Sequence, residues 1–173
     1  MKKPIVKAKT MKYHTKKRLD FITITQDIKD FVKQSGIEIG SVVIQTHHTT
    51  CSVWVNENEK NLIGGNKQDG DLKKILDRFA SPNEEYAHND ICDVRNPKGK
   101  RNTHLCEPDK NGICHECVNG HAHAQGMVLQ SSITLIIENS KMLLGKWQEV
   151  MLVELDHDRE RKVTFLVQGV EKN

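Results

Sequence analysis

The chain has 173 residues, 36% of them hydrophobic, enough for one domain with its own core and too short for two ordinary ones. Its apolar runs stop after a few residues, which excludes a helical membrane span, and Met1 to Thr10 has lysines but no apolar stretch, so a cytoplasmic protein without a secretory signal is expected. The net charge of +3 is unevenly placed: Lys2, Lys3, Lys7, Lys9, Lys12, Lys16, Lys17 and Arg18 precede the first acid, Asp20, leaving 18 basic against 23 acidic residues in the body.

Residues 1–18 therefore read as a basic arm, a solvated leader running into a first strand. A nucleic-acid role for it is disfavoured, since only Tyr13 offers an aromatic platform. Leu19 to Ile24 reads as a strand, with Thr25 as the cap of a helix that keeps Ile28, Phe31 and Val32 on one face and ends at Gly36. Ile39 to Ile44 and Ser52 to Val55 are strand-like. On a two-residue period running through both, His48, Ser52 and Asn56 would share one face and His47, Thr49 and Glu57 the other. A second helix is signalled by Asp69 as cap and by Leu72, Ile75, Leu76 and Phe79, and Ser81-Pro82-Asn83 stops it.

A loop with Tyr86 and His88 leads into 92–118, where Asn, Pro, Lys, Gly, Cys and His replace the large apolar residues that a core requires. Its His-x-Cys-x7-Cys-x2-Cys pattern places thiolates at metal-ligand spacing, so structural zinc is expected on Cys106, Cys114 and Cys117, with His104 as fourth ligand and Cys92 or His115 as alternatives. With no signal peptide, the five cysteines read as thiols or ligands and not as a disulfide framework. His121 to Gln130 reads as a short helix with Asn119 near its start and Met127 facing inward. Ile133 to Glu138, Trp147 to Leu155 and Val163 to Gln168 read as strands, with turns at Asn139-Ser140 and across 156–162. Strands at both ends of the chain around two main helices predict one α+β domain over 1–173, with a mainly antiparallel sheet.

Five short motifs occur in an order that carries a resemblance: His48-Thr49-Thr50-Cys51-Ser52 with Asn56-Glu57-Asn58, then Tyr86-Ala87-His88, Asn119-Gly120-His121-Ala122-His123, Gly145-Lys146-Trp147-Gln148 and Leu152-Val153-Glu154-Leu155-Asp156. Together, from about Tyr13 to Gly169, they resemble the YjbQ-like family, described as secondary thiamine-phosphate synthases; 92–118 stands outside the resemblance, as an insertion. The resemblance implies a β-rich sandwich of mainly antiparallel strands that assembles as a homotrimer. It also implies an enzyme that joins a pyrimidine methyl diphosphate to a thiazole phosphate and releases pyrophosphate.

His48, His88 and His123 fall on the most family-like motifs, and three neutral imidazoles would suit a divalent, zinc-type ion at a catalytic site. Glu57 is the candidate general base or ligand-orienting carboxylate, with Asn56 beside it; a plain turn leaving the strand is the competing reading. Thr49 and Ser52 have no serine-hydrolase base beside them and read as hydroxyl donors to phosphate or amide. Cys51 reads as a small buried residue and His47 as a structural or surface one. Asn119 and His121 are candidate substrate contacts. Lys146 stands where the family has Thr and adds a charge suited to phosphate; Trp147 would wall a ring pocket or fill the core, and Gln148 would hydrogen-bond a ring. Because imidazoles suit zinc-like ions better than the magnesium that accompanies diphosphates, a metal-assisted hydrolase of a small phosphorylated or amide substrate is the alternative enzyme. A zinc-stapled nucleic-acid or protein-binding module is the alternative outside enzymes, disfavoured by an insertion with only Arg95 and Arg101 as arginines and no Phe, Tyr or Trp.

Overall fold

The computed structural model describes residues 2–65, 68–89, 110 and 118–171. In chain order its elements are β1 (Pro4–His14), β2 (Phe21–Thr23), α1 (Thr25–Ser35), β3 (Ile37–Thr46), β4 (Cys51–Asn56), α2 (Lys60–Ile63), α3 (Asp71–Phe79), a 3-10 turn (Ala87–Asn89), α4 (Gly120–Gln125), β5 (Ser132–Glu138), β6 (Lys141–Met142), β7 (Glu149–Glu154) and β8 (Glu160–Glu171). They form a five-stranded sheet, β1-β8-β3-β5-β6, and a three-stranded sheet, β2-β7-β4. Every pairing is antiparallel. The expected α+β class with mainly antiparallel strands is what the chain adopts. No helix among the described residues is long and apolar enough to cross a membrane.

Strand alternation builds the core. In β8, Val163, Phe165 and Val167 are fully buried while Lys162 and Gln168 face solvent. Val42 and Ile44 from β3, Val53 from β4, and Val150 and Leu152 from β7 meet them, and Phe31 of α1 packs on Phe165 with ring centroids 6.1 Å apart. Burial of each such side chain contributes about 1.5–3 kcal/mol. Where β3 and β8 approach most closely, Gly40 faces Gly169 in register. A Cβ on either would run into the other strand's backbone, so two facing glycines are required there.

Helix α1 carries Ile28, Phe31 and Val32 inward as expected and ends at Gly36, whose φ of 78° is left-handed. Its cap position is Ile24, not Thr25; Thr25 is drawn inward because its hydroxyl accepts the Val150 N–H at 2.8 Å. In α3 the cap position is Gly70, and Asp69 pairs instead with Lys73. The apolar face expected of α3 is only partly used: Leu76 is buried, but Ile75 and Phe79 are more than half exposed. Helix α4 stops at Gln125, and Met127, expected inside, is exposed. Strand β7 starts at Glu149, so Trp147 lies in the preceding turn with 64% of its surface exposed, not in the core. The supposed solvated leader is largely β1, hydrogen-bonded along β8 from Pro4 to His14.

The most demanding feature of the interior is an ion pair. Glu154 and Arg161 are 0% and 2% exposed, and the guanidinium meets both carboxylate oxygens. The Thr15 hydroxyl donates to Glu154 at 2.9 Å, the Asp156 N–H donates to it at 2.9 Å, and Arg161 reaches the Thr50 hydroxyl at 3.1 Å. Removing one partner strands a buried charge, so Glu154→Ala should cost about 3–5 kcal/mol, read as a lower urea midpoint, whereas Glu154→Leu with Arg161→Met should recover most of it. A single variant as stable as the parent would show that the pair is not the constraint described.

Candidate functional site

The β-branched run that opens the signature does not stay a strand. β3 ends at Thr46, His47–Thr50 turns, and β4 begins at Cys51 in the other sheet. The turn is pinned where the Lys162 carbonyl accepts the His47 N–H and the Thr50 carbonyl accepts the Leu155 N–H. The two-residue period expected across the signature is broken there, because the chain must leave one sheet to enter the other.

The turn borders a cavity of about 420 Å³, closed on its other side by Gly126, Leu129 and Ser131. His48, Thr49, Cys51 and Ser52 line it, and among the described residues no Lys, Arg, Asp or Glu does. His48 Nε2 accepts the backbone N–H of Lys162 at 2.8 Å. Its pKa is lowered, first by burial and then by the nearby Arg161 guanidinium, so the ring is neutral and carries its proton on Nδ1. Burial pushes the Cys51 thiol up to about 11, which leaves it an uncharged thiol, as a small buried residue should be. His47 also lines the cavity, and its Nε2 lies 2.7 Å from the Thr164 hydroxyl on the outer face of the large sheet.

A second group of side chains gathers where the 3-10 turn meets α4. The His88 and His123 rings lie 4.5 Å apart, edge to face. His88 Nε2 is 3.2 Å from Asn119 Oδ1, Asn119 Nδ2 donates to Asp156 Oδ2 at 2.9 Å, and Arg159 donates to the same oxygen at 2.9 Å. A carboxylate only accepts, so Asp156 fixes which way the Asn119 amide faces. The amide oxygen then accepts from His88, which places the His88 proton on Nε2 and leaves the lone pair on Nδ1. His121 is buried, with Nε2 lacking a hydrogen-bond partner, and its pKa is lowered by burial and then by Arg18.

The three-imidazole metal set does not come together within one chain. Among the described residues, no group of three or more His, Cys, Asp or Glu side chains could hold a metal ion, and the Nε2 lone pair of His48 is already engaged by Lys162. Of the expected set, His88 and His123 are adjacent and His48 belongs to the cavity. Asn56, Glu57, Lys146, Trp147 and Gln148 lie elsewhere: Asn56 pairs with Glu149 at the far end of β4, where Cys51 pairs with Glu154 at the near end. The two ends of this six-residue strand are about 17 Å apart. Glu57 is exposed there and its N–H is held by the Asn56 side chain, as in a plain turn leaving the strand. Gln148 folds back onto the Gly145 N–H. Cys92, His104, Cys106, Cys114, His115 and Cys117 lie outside the described residues. Asp156 and Arg159, which orient the His88 group, had no assigned role; the Leu-Val-Glu-Leu-Asp motif was the signal that pointed to Asp156.

A family model described as UPF0047 protein YjbQ-like matches residues 9–170. A UPF0047 protein of Methanothermobacter thermautotrophicus is 26% identical over 155 residues, 90% of this chain and 87% of that one. The UPF0047 protein YugU of Bacillus subtilis is 29% identical over 162 residues, 93% of this chain and 98% of its own. Among solved structures, a YbjQ-like protein of unknown function from Sulfolobus solfataricus superposes with a TM-score of 0.75 at 25% identity, covering 96% of this chain and 99% of that one. An uncharacterised YjbQ/UPF0047 protein from Clostridium acetobutylicum gives 0.63 at 27%, with 93% and 98% covered.

The His88 arrangement can be checked without knowing a substrate. Two-bond proton–nitrogen correlation spectra should show His88 protonated on Nε2, and Asp156→Asn, which frees the Asn119 amide to turn over, should shift it toward the Nδ1-protonated form. A His88 already protonated on Nδ1, or unmoved by Asp156→Asn, would contradict the assignment.

Proposed function

The chain belongs to the YjbQ-like UPF0047 family, and from that premise we propose that it is a small-molecule enzyme whose reaction resembles thiamine-phosphate synthesis. The observation that carries this reading is the cavity beside the signature turn. At about 420 Å³ it falls within the size range of small-molecule sites, and it offers Thr49, Ser52 and Ser131 hydroxyls together with the His48 Nδ1–H as donors. In the reaction, the thiazole nitrogen lone pair forms a bond to the pyrimidine methylene carbon while the carbon–oxygen bond to the diphosphate breaks and its electrons leave on the diphosphate oxygen. No proton has to be removed. The demands on the protein are to hold two rings in line and to place donors where negative charge grows, and neutral imidazole and hydroxyl donors meet the second demand.

One observation favours hydrolysis as a second reading. The His88–Asn119–Asp156 chain holds an imidazole with an oriented lone pair, the arrangement by which a base accepts a proton from attacking water on a small phosphorylated or amide substrate. Purified protein should be assayed for thiamine phosphate formation against a panel of phosphate esters and amides. The synthase reading expects turnover of the diphosphate that falls in Ser52→Ala and persists in Asp156→Asn. The hydrolase reading expects ester or amide turnover that Asp156→Asn lowers by about 10²–10⁴-fold. Absence of both activities sinks both readings.

A homotrimer in the cytoplasm belongs to the same proposal. It is supported by the outer face of the large sheet, where Val6 and Ile136 are 70% and 61% exposed and Ala8, Leu166 and Val43 lie side by side in register. Light scattering should give three times the 19.7 kDa chain mass; a monomer mass throughout the micromolar range would overturn it.

A further inference from the structure

We infer that the free edge of β1 is a docking site for an extended acidic segment of another protein, which adds to the large sheet as a further strand. The inference goes beyond the reaction proposed above and uses none of the residues that line the His48 cavity. β1 is the end strand of its sheet, and among the described residues it pairs with β8 alone. Two bonds at its ends show which backbone groups that pairing consumes. The Glu171 N–H donates to the Lys3 carbonyl at 2.9 Å and the Thr15 N–H to the Arg159 carbonyl at 3.0 Å, in line with the register that joins Pro4 to Val170 and His14 to Glu160. Bonded and non-bonded pairs alternate along an antiparallel ladder, so the odd-numbered residues of β1 bond to β8. The N–H and C=O groups of Val6, Ala8, Thr10, Lys12 and His14 therefore turn outward, and among the described residues nothing bonds to them.

The two faces beside that edge differ. Odd-numbered side chains lie on the core side, where Ile5 is buried and Met11 and Tyr13 pack against the core, and Lys7 and Lys9 share that side. A groove of about 510 Å³ runs there between Lys7, Ala8 and Lys9 of β1 and Phe31, Gln34 and Ser35 at the end of α1. Even-numbered side chains lie on the outer face, where Val6 is 70% exposed and Ala8 and Thr10 follow it. A strand bonded to β1 would present its own alternate side chains to the same two faces. The matching segment carries Asp or Glu at every second position, beside Lys7 and Lys9, and small or β-branched apolar residues between them, beside Val6 and Ala8.

Charge selects this occupant. No acid precedes Asp20 in the sequence, and the carboxylates that meet this end of the sheet are already engaged. Glu160 pairs with Lys12 at 3.1 Å, Glu171 with Lys3 at 3.9 Å and Glu38 with Lys2, while Asp27 accepts the Tyr13 hydroxyl at 2.8 Å. Among the described residues Lys7 reaches only the Ser35 carbonyl, at 2.8 Å, and Lys9 makes no hydrogen bond or ion pair. A second copy of β1 fits poorly, because two such strands antiparallel about Ala8 would set Lys7 opposite Lys9 twice, and like charges directly opposite are destabilising. Lysines thus guard the edge against its own kind, and the same lysines favour an acidic strand. Main-chain bonds would supply the affinity of such an added strand and the alternate side chains its specificity.

The test uses two synthetic peptides as long as β1, one alternating Glu with Val and the other alternating Lys with Val. Amide hydrogen exchange of the full chain, read residue by residue by NMR, should be slow at Lys7, Lys9 and Met11 and fast at Val6, Ala8, Thr10 and Lys12. The Glu peptide should slow the fast set saturably, and the Lys peptide should bind about tenfold more weakly or worse. Lys9→Glu should weaken binding of the Glu peptide by about threefold or more, as should raised salt. No slowing by about 1 mM peptide, equal affinity for the two peptides, or unchanged affinity in Lys9→Glu would each overturn the proposal. So would outward amides already protected without peptide, which would give the edge to a second copy of the chain. Each of these failures leaves the reading of the His48 cavity standing.

Discussion

The buried pair of Glu154 and Arg161 is the constraint on which the rest of the site depends. Two charges removed from water must satisfy each other and their remaining hydrogen-bonding capacity, or the fold loses several kcal/mol. The chain meets that demand by bringing four segments to one point. Thr15 arrives from the end of β1, Thr50 from the signature turn, the Asp156 N–H from beyond β7, and Arg161 from the start of β8. The turn that presents His48, held by Arg161, and the loop that presents Asp156, held by Glu154, are therefore fixed by the same ion pair. Through Asp156 the constraint extends to Asn119, and through Asn119 to the tautomer of His88.

That arrangement divides the motif residues between two ends of the three-stranded sheet. His48, Thr49 and Ser52 lie with the ion pair, where Gly126, Leu129 and Ser131, beyond α4, also close the cavity; Asn56, Glu57 and the Gly145–Gln148 turn lie at the opposite end. Electrostatics differ accordingly. Among the described residues the cavity beside the ion pair has no charged lining, and burial first and the Arg161 charge second hold His48 in its neutral form. The far end carries lysines, and with them the carboxylates of Asp30 and Glu149. The two ends are therefore too far apart within one chain to share a single chemical step.

The elements legible in the sequence are those whose burial pattern matches a period. α1 shows Ile28, Phe31 and Val32 at helical spacing with Gly36 behind them, and β8 alternates cleanly, because each packs a single face against the core. β1 was hidden for the opposite reason. As an edge strand whose outer residues meet water, it keeps only Ile5 buried and is otherwise rich in lysine, which reads as solvated chain. α3 misled in the other direction, since an apolar stripe states only that a face can be covered, and Ile75 and Phe79 are not covered by the described residues.

By itself, the sequence determined the α+β class, the main helices, the antiparallel strands, and membership in a family through motifs that keep their order. It also marked the His-Thr-Thr-Cys-Ser segment as the place where polar chemistry interrupts a buried run. Only the tertiary structure decided where that run changes sheet, which histidines stand together, and which nitrogen of each is available. The reason is physical: a period records which face of an element is buried, whereas a site depends on distances between elements far apart in the chain. Those distances are set here by one buried ion pair whose partners, Glu154 and Arg161, look like ordinary charged residues until their exposure is known.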